Sequence, residues 1–174
     1  MVSQTIDTLE QLVHNLNMGP GYEGYRSMVE AINLNPDELI KLCDVEGDNH
    51  QRICIYDTPG MEAVLSYWKP GQSTRIHDYN FQQAWTKVIK GQLILEFFDV
   101  FNGEPHAEIT ETQLMDPGDI MYMNTSFGFH RYANLSATDS IAIHIYADKI
   151  DAWHVYDEDT GAIETVPTTY SRVL

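Results

Sequence analysis

Two short stretches of this 174-residue chain hold the side chains best suited to chemistry. The first, Gly71-Gln72-Ser73-Thr74-Arg75-Ile76-His77-Asp78-Tyr79, places an imidazole and a phenol two residues apart. The second, Gly118-Asp119-Ile120-Met121-Tyr122-Met123-Asn124, leads on to His130 and Asn134. Side chains at i and i+2 of a strand share a face, so His77 and Tyr79 are expected to point the same way. His130 is expected from a facing strand. Three inward donors of this kind leave part of a metal's coordination sphere open, as oxygen activation requires. The remaining histidines outside such a context, His14, His50, His106 and His154, read as packed or surface side chains.

The elements that position these groups change character along the chain. Over the first forty-odd residues the spacing is helical. Leu9, Leu12, Val13 and Leu16 recur at helical intervals, with Asp7 and Glu10 read as a capping box and Gly19-Pro20-Gly21 as the stop. A second helix is expected from about Glu23 to Ile32. A third is expected to start at Asn35 as N-cap, with Pro36 in the first helical position and Leu39, Ile40 and Leu42 inward. From Arg52 onward short apolar or alternating segments take over. They are Ile53–Tyr56, Met61–Trp68, Trp85–Ile89, Leu93–Val100, Ala107–Leu114, Ile120–Met123, Ser140–Tyr146 and Ala152–Tyr156. Pro59-Gly60, Pro70-Gly71, Asn102-Gly103, Pro117-Gly118 and Thr160-Gly161 break them. Many short, evenly spaced strands predict a mainly β, antiparallel jelly-roll barrel. The expectation is one domain over residues 1–174, with a helical cap to about 45 and a barrel over about 52–166.

Charge narrows the function classes. Asp and Glu number 26 against 10 Lys and Arg, for a formal charge of -16, which repels phosphate backbones and anionic lipid. Nucleic-acid and membrane partners are therefore not expected. Cys43 and Cys54 match no zinc spacing or disulfide framework and read as buried thiols of a reducing compartment. No basic segment followed by an apolar run opens the chain, and no apolar run reaches bilayer length. A cytoplasmic protein, monomeric or a small homo-oligomer, is expected.

Gly71-x5-His77, a later Gly91, and Gly118 followed by His130-x3-Asn134 outline the two motifs of the cupins, so the barrel is expected to be a cupin double-stranded β-helix. Its glycines suit tight corners needing positive φ. From Arg52 to about Val166 the chain resembles the cysteine dioxygenase family more closely. The resemblance rests on Trp68-Lys69-Pro70-Gly71, Ile76-His77-Asp78, Lys87-Val88-Ile89-Lys90-Gly91-Gln92-Leu93, His130-Arg131, Asn134, His144-Ile145-Tyr146 and Trp153-His154-Val155-Tyr156-Asp157 with Thr160-Gly161.

The resemblance implies an oxygenase that uses ferrous iron and dioxygen on the thiol of L-cysteine or a close thiol amino acid, giving a sulfinate in the simplest case. It implies His77, Tyr79 and His130 around the metal and Arg52 on the substrate carboxylate. Tyr146 would bond the reacting sulfur and oxygen, with His144 orienting it. The chain departs from the family in three places. Tyr79 stands where the family has a histidine, Ala84 where some members crosslink a cysteine to the tyrosine, and Ala142 where a serine partners the histidine.

Each assignment has a plainer counterpart. Tyr79 is either a ligand or an aromatic filling the space of a missing histidine. Arg52 either binds substrate or pairs with a carboxylate of the protein. Tyr146 either serves the site or packs in the core with a satisfied hydroxyl. Gln82 or Gln83 is a further candidate to line the pocket. As a ligand, a tyrosinate adds one negative charge and favours higher oxidation states; nickel, copper and manganese also suit such a set. Two alternatives follow. One is a specialised enzyme that oxidises and rearranges cysteine, with decarboxylation or S–N bond formation to a sulfonamide-type product. The other is a metal-free cupin that binds a small acid without catalysis.

Overall fold

The structure, a computed structural model, describes residues 5–19, 21, 24–80 and 82–174. Three helices come first: α1 (Leu9–Met18), α2 (Gly24–Ala31) and α3 (Pro36–Ile40). Eleven strands follow: β1 (Gln51–Thr58), β2 (Met61–Trp68), β3 (Gln83–Lys90), β4 (Leu93–Val100), β5 (Ala107–Met115), β6 (Ile120–Met123), β7 (Phe129–Ala133), β8 (Ser140–Ala147), β9 (Ala152–Tyr156), β10 (Ile163–Pro167) and β11 (Arg172–Val173).

The helix α1 starts one residue later than the sequence suggested. Thr8, not Asp7, is the N-cap: its side chain accepts from Gln11 N–H, and the Gln11 side chain reaches back to the Thr8 N–H. Asp7 instead accepts from Thr5 and Asn33. The helix ends at Gly19 with φ of 80°, while Pro20 and Glu23 lie outside the described residues. Asn35 and Pro36 open α3 as expected, and Leu39 is buried.

One sheet has the order β11-β1-β2-β8-β3-β6; opposite it lie a three-stranded sheet, β5-β4-β7, and the β9–β10 pair. Every pairing is antiparallel except β1 with β11. The segment around His77 closes the gap, bridging to His130 on one side and Val155 on the other. The mainly β, cupin-type barrel is thus present. Its edge lies beyond the expected limit near 166, because β11 returns to β1 and Ser171 N–H donates to the Arg52 carbonyl at 2.7 Å. The strands β10 and β11 were not expected, and β7 was expected only as the facing strand that carries His130, without bounds.

The central strand β2 is buried on both faces, which is why it reads as a mostly apolar run rather than an alternation. Outward residues Ile53, Leu65, Ile143 and Ile145 pack with Leu12, Leu16, Val29 and Leu39 of the helices. Inward residues Val64, Trp68, Ala84, Val88 and Ala142 meet Leu93, Leu95 and Phe97 of the other wall. At the turn between β3 and β4, Gly91 has φ of 69°, and an added Cβ would lie 2.4 Å from the Asp139 carbonyl oxygen.

Lys87 fastens the helical cap to the barrel. It is nearly buried on the outer face of β3, and its ammonium donates to the carbonyls of Val29, Glu30 and Ile32 at 3.2, 2.9 and 2.7 Å. These carbonyls end or follow α2, where a cation is favoured by the helix dipole. Beside it, Trp85 packs on Tyr25 with ring centroids 5.0 Å apart. Lys87→Met keeps the stem and removes the donors. It is expected to cost about 1.5–3 kcal/mol of unfolding free energy, the range for hydrogen bonds to a charged group. A denaturant midpoint unchanged from wild type would show that water satisfies those carbonyls instead.

Candidate metal centre

His77 and His130 face each other as a backbone-bonded pair. His77 N–H donates to the His130 carbonyl at 3.0 Å and His130 N–H to the His77 carbonyl at 2.8 Å. Residues paired in this way point to the same side, so both imidazoles enter the barrel. On the other flank, Asp78 N–H donates to the His154 carbonyl (3.0 Å) and Tyr156 N–H to the Ile76 carbonyl (2.9 Å). Tyr79 follows His77 by two residues. Ring centroids are 4.5 Å apart for His77 and His130, 4.4 Å for Tyr79 and His130, and 5.6 Å for His77 and Tyr79.

The donor set fits a metal ion. His77 Nδ1 lies 2.8 Å from the Arg75 carbonyl and His130 Nδ1 lies 3.1 Å from the Gly128 carbonyl. A ring nitrogen bonded to a carbonyl must carry the proton, so each Nε2 keeps its lone pair for the interior. His130 Nε2 is buried without a hydrogen-bond partner among the described residues. Burial lowers the His130 pKa to about 4 and holds His77 well below its ordinary value, so both are neutral imidazoles, the form that ligates. Among the described residues, no three His, Cys, Asp or Glu side chains gather as a metal site; the ring packed against both histidines is the Tyr79 phenol. Burial pushes the Tyr79 phenol well above its usual range, with Tyr132 and Tyr146 adding to the effect. Tyr79 therefore keeps its proton unless a cation faces it.

Beside the His77 and Tyr79 rings is a cavity of about 20 Å³, walled in part by Arg52, Trp68, Tyr132, His144, Tyr146 and Trp153. The Tyr146 ring centroid is 5.4 Å from that of Tyr79, in an edge-on arrangement. Burial raises the Tyr146 pKa while the nearby Arg52 charge opposes that, leaving a protonated hydroxyl. His144 lies parallel to Tyr146, with centroids 6.0 Å apart and planes inclined by 6°. Burial holds the His144 pKa down to about 3, so it too is neutral. Its Nδ1 is 2.8 Å from Thr86 Oγ1, on the neighbouring strand.

Arg52 is at the cavity wall but is not free. One terminal nitrogen donates to Glu62 at 3.0 Å and the other to the Thr169 carbonyl at 2.9 Å, with the guanidinium 4.7 Å from the Trp153 ring centre. Glu62 is fully buried. Among the histidines taken as merely packed, His50 walls the cavity and stacks on Trp68 at 6.2 Å. His154 pairs with Asp78 at 3.0 Å, while His14 and His106 are exposed. Gln83 is exposed, Gln82 is part-buried, and neither walls the cavity. Cys43 and Cys54 are free thiols whose pKa values burial raises.

The sequence reading passed over Glu62, Thr86, Tyr132 and Thr169. Glu62 had a legible signal: a carboxylate at an inward position of an otherwise apolar strand, in step with Val64, Ser66 and Trp68. Thr86 and Tyr132 gave none, since both residue types are common in strands.

Comparison with known proteins places these features in a family. The chain is 24% identical over 172 residues to cysteine dioxygenase type 1 of Rattus norvegicus, covering 96% of this chain and 86% of that protein. It is 23% identical over 173 residues to cysteine dioxygenase type 1 of Danio rerio, covering 94% and 86%. Among solved structures, a conserved protein with a double-stranded beta-helix domain from Klebsiella pneumoniae matches with a TM-score of 0.56 at 15% identity, over 67% of this chain and 87% of that one. A cupin superfamily protein from Desulfitobacterium hafniense matches with a TM-score of 0.50 at 13% identity, over 67% and 92%. These two likenesses bear on the fold alone, and both agree with the cupin barrel. The family model for cysteine dioxygenase type I matches residues 2–159, nearly the whole length, and the chain belongs to that family.

Proposed function

We propose that this protein is an iron-dependent oxygenase acting on the thiol of L-cysteine or a close thiol amino acid, with a sulfinate as the simplest product. The observation that carries this reading is the convergence of the His77, Tyr79 and His130 rings, the first two at the wall of a small cavity, with the buried His130 Nε2 left without a partner among the described residues. Family membership supplies the reaction class.

In this reading His77, Tyr79 and His130 hold the metal. Bound by these three side chains, a ferrous ion would supply dioxygen activation next to the thiol. Arg52 recognises the substrate carboxylate, its guanidinium already aligned by Glu62 and the Thr169 carbonyl. Tyr146, kept protonated by burial, donates a hydrogen bond to the reacting sulfur or oxygen. Trp68, Tyr132 and Trp153 keep bulk water from the chamber, which strengthens every polar contact inside it.

The test is oxygen uptake by anaerobically iron-loaded protein given cysteine, with the product identified by mass. Stoichiometric uptake and a mass gain of two oxygen atoms support the reading. A decarboxylated or sulfonamide-type product would instead indicate the rearranging enzyme. Absence of metal binding would indicate a small-acid-binding cupin.

A further inference from the structure

Tyr132 and His144, which wall the cavity, are joined through Thr86 by a hydrogen-bonded chain that the proposed oxygenase chemistry does not use. Thr86 lies directly opposite His144 in the β3–β8 register, and both side chains face inward. Tyr132, from the opposite wall, places its hydroxyl 3.1 Å from Thr86 Oγ1, as donor. Its alternative acceptor, Met123 Sδ at 3.5 Å, is a weak one. Thr86, Tyr132 and His144 are each at most 3% exposed. On β8 itself, the inward neighbour of His144 is Ala142, whose methyl group offers no partner.

Proton counting gives this chain one consistent direction. A hydroxyl has one proton to give and two lone pairs that accept. With Tyr132 donating to Thr86, the Thr86 proton is available to His144 Nδ1, 2.8 Å away. Given in that direction, it leaves the His144 hydrogen on Nε2. Removing the Thr86 hydroxyl would leave a buried ring nitrogen unpaired and both tautomers open.

We propose that Thr86, directed by Tyr132, is the positioning residue of His144, fixing the Nε2–H tautomer so that this N–H serves as a donor to an anionic sulfur group in the chamber. The tautomer is part of the proposal, and its support is the Tyr132–Thr86–His144 chain. The role toward sulfur rests on the thiol-oxygenase reading, in which a thiolate enters and a sulfinate leaves.

Two measurements test the proposal. The first is long-range proton–nitrogen correlation NMR of the histidines in the full, metal-free chain, with His144 assigned by its loss in His144→Gln. Wild type should show a single Nε2–H form at neutral pH. Thr86→Val, nearly the same shape, should give mixed or Nδ1–H signals, Thr86→Ser should restore the wild-type form, and Tyr132→Phe should broaden the population. The second is thiol-dependent oxygen uptake by the iron-loaded variants. Thr86→Val should lower kcat by roughly tenfold, the scale of one buried hydrogen bond, with little change in KM, and Thr86→Ser should recover it. An unchanged Nε2–H form in Thr86→Val overturns the proposal, as does a kcat loss that serine does not rescue. If Thr86→Val fails to fold, Thr86→Ser and Tyr132→Phe decide it in the same way: a Tyr132→Phe spectrum identical to wild type would overturn the directing role. If wild type oxygenates neither cysteine nor cysteamine, the functional reading fails, while the NMR result still decides what Thr86 does.

Discussion

Tyr79→Phe is expected to weaken metal binding by at least 10- to 100-fold, the range seen when only an outer partner of a ligand is lost. The expectation follows from where the phenol sits. Tyr79 is 3% exposed, with its ring closer to His130 than the two histidines are to each other. Burial opposes its ionisation, so a bound cation must supply the compensating charge. The resulting phenolate would give the ferric protein a charge-transfer band in the visible region, absent in Tyr79→Phe. Tyr79→His should rebuild a neutral three-histidine set, retain iron without that band, and move the product toward plain sulfinate. Metal content and optical spectra of the three proteins are the measurements. If Tyr79→Phe retains iron, spectrum and turnover, the phenol is only a packing residue and the third ligand lies elsewhere.

The sequence reading of this region assumed a strand, in which His77 and Tyr79 at i and i+2 share a face. In the structure His77 lies at an isolated bridge and Tyr79 outside any strand, yet their ring centroids are 5.6 Å apart. The turn residues Pro59-Gly60, Asn102-Gly103 and Pro117-Gly118 marked where β1, β4 and β5 end. The segment around His130 was harder. It is a short strand, Phe129–Ala133, in which aromatic, charged and small residues mix because one face lines a polar chamber. The strands β10 and β11 are mostly exposed and carry little apolar pattern, so their pairing depends on partners far away in sequence. The same distance hid the Arg52 contacts: Thr169 is 117 residues away. Thr86 was invisible for a different reason, since its role comes from the residue opposite it across two strands rather than from any spacing along its own. The capping error was local: Thr8 and Gln11 satisfy the same pattern as Asp7 and Glu10, and the Thr8 backbone is the extended one.

Arg52→Lys is expected to raise KM for cysteine by roughly 10- to 100-fold, while cysteamine, which lacks the carboxylate, should barely respond. A guanidinium offers a fixed fork of donors that an ammonium does not copy, and the loss of charge-assisted bonds of about 1.5–3 kcal/mol corresponds to that range. Lysine is the informative replacement because of Glu62. That carboxylate is fully buried and its ion pair with Arg52 has side chains 9% and 0% exposed. Arg52→Met would leave it uncompensated, at about 3–5 kcal/mol of stability, and unfolding would then obscure any effect on substrate. Lysine keeps the counter-charge and gives up only the fork. The pair also predicts how the opposite change behaves. Glu62→Gln leaves Arg52 with a neutral partner, and a substrate carboxylate no longer shares its cation with a second anion. Cysteine should therefore bind more tightly to Glu62→Gln, provided the protein remains folded, as near-ultraviolet circular dichroism would show. Steady-state oxygen uptake with both thiols on wild type, Arg52→Lys and Glu62→Gln separates the alternatives. Equal losses for cysteine and cysteamine in Arg52→Lys would assign the Arg52–Glu62 pair to holding β1 and β2 together, with the carboxylate recognised elsewhere.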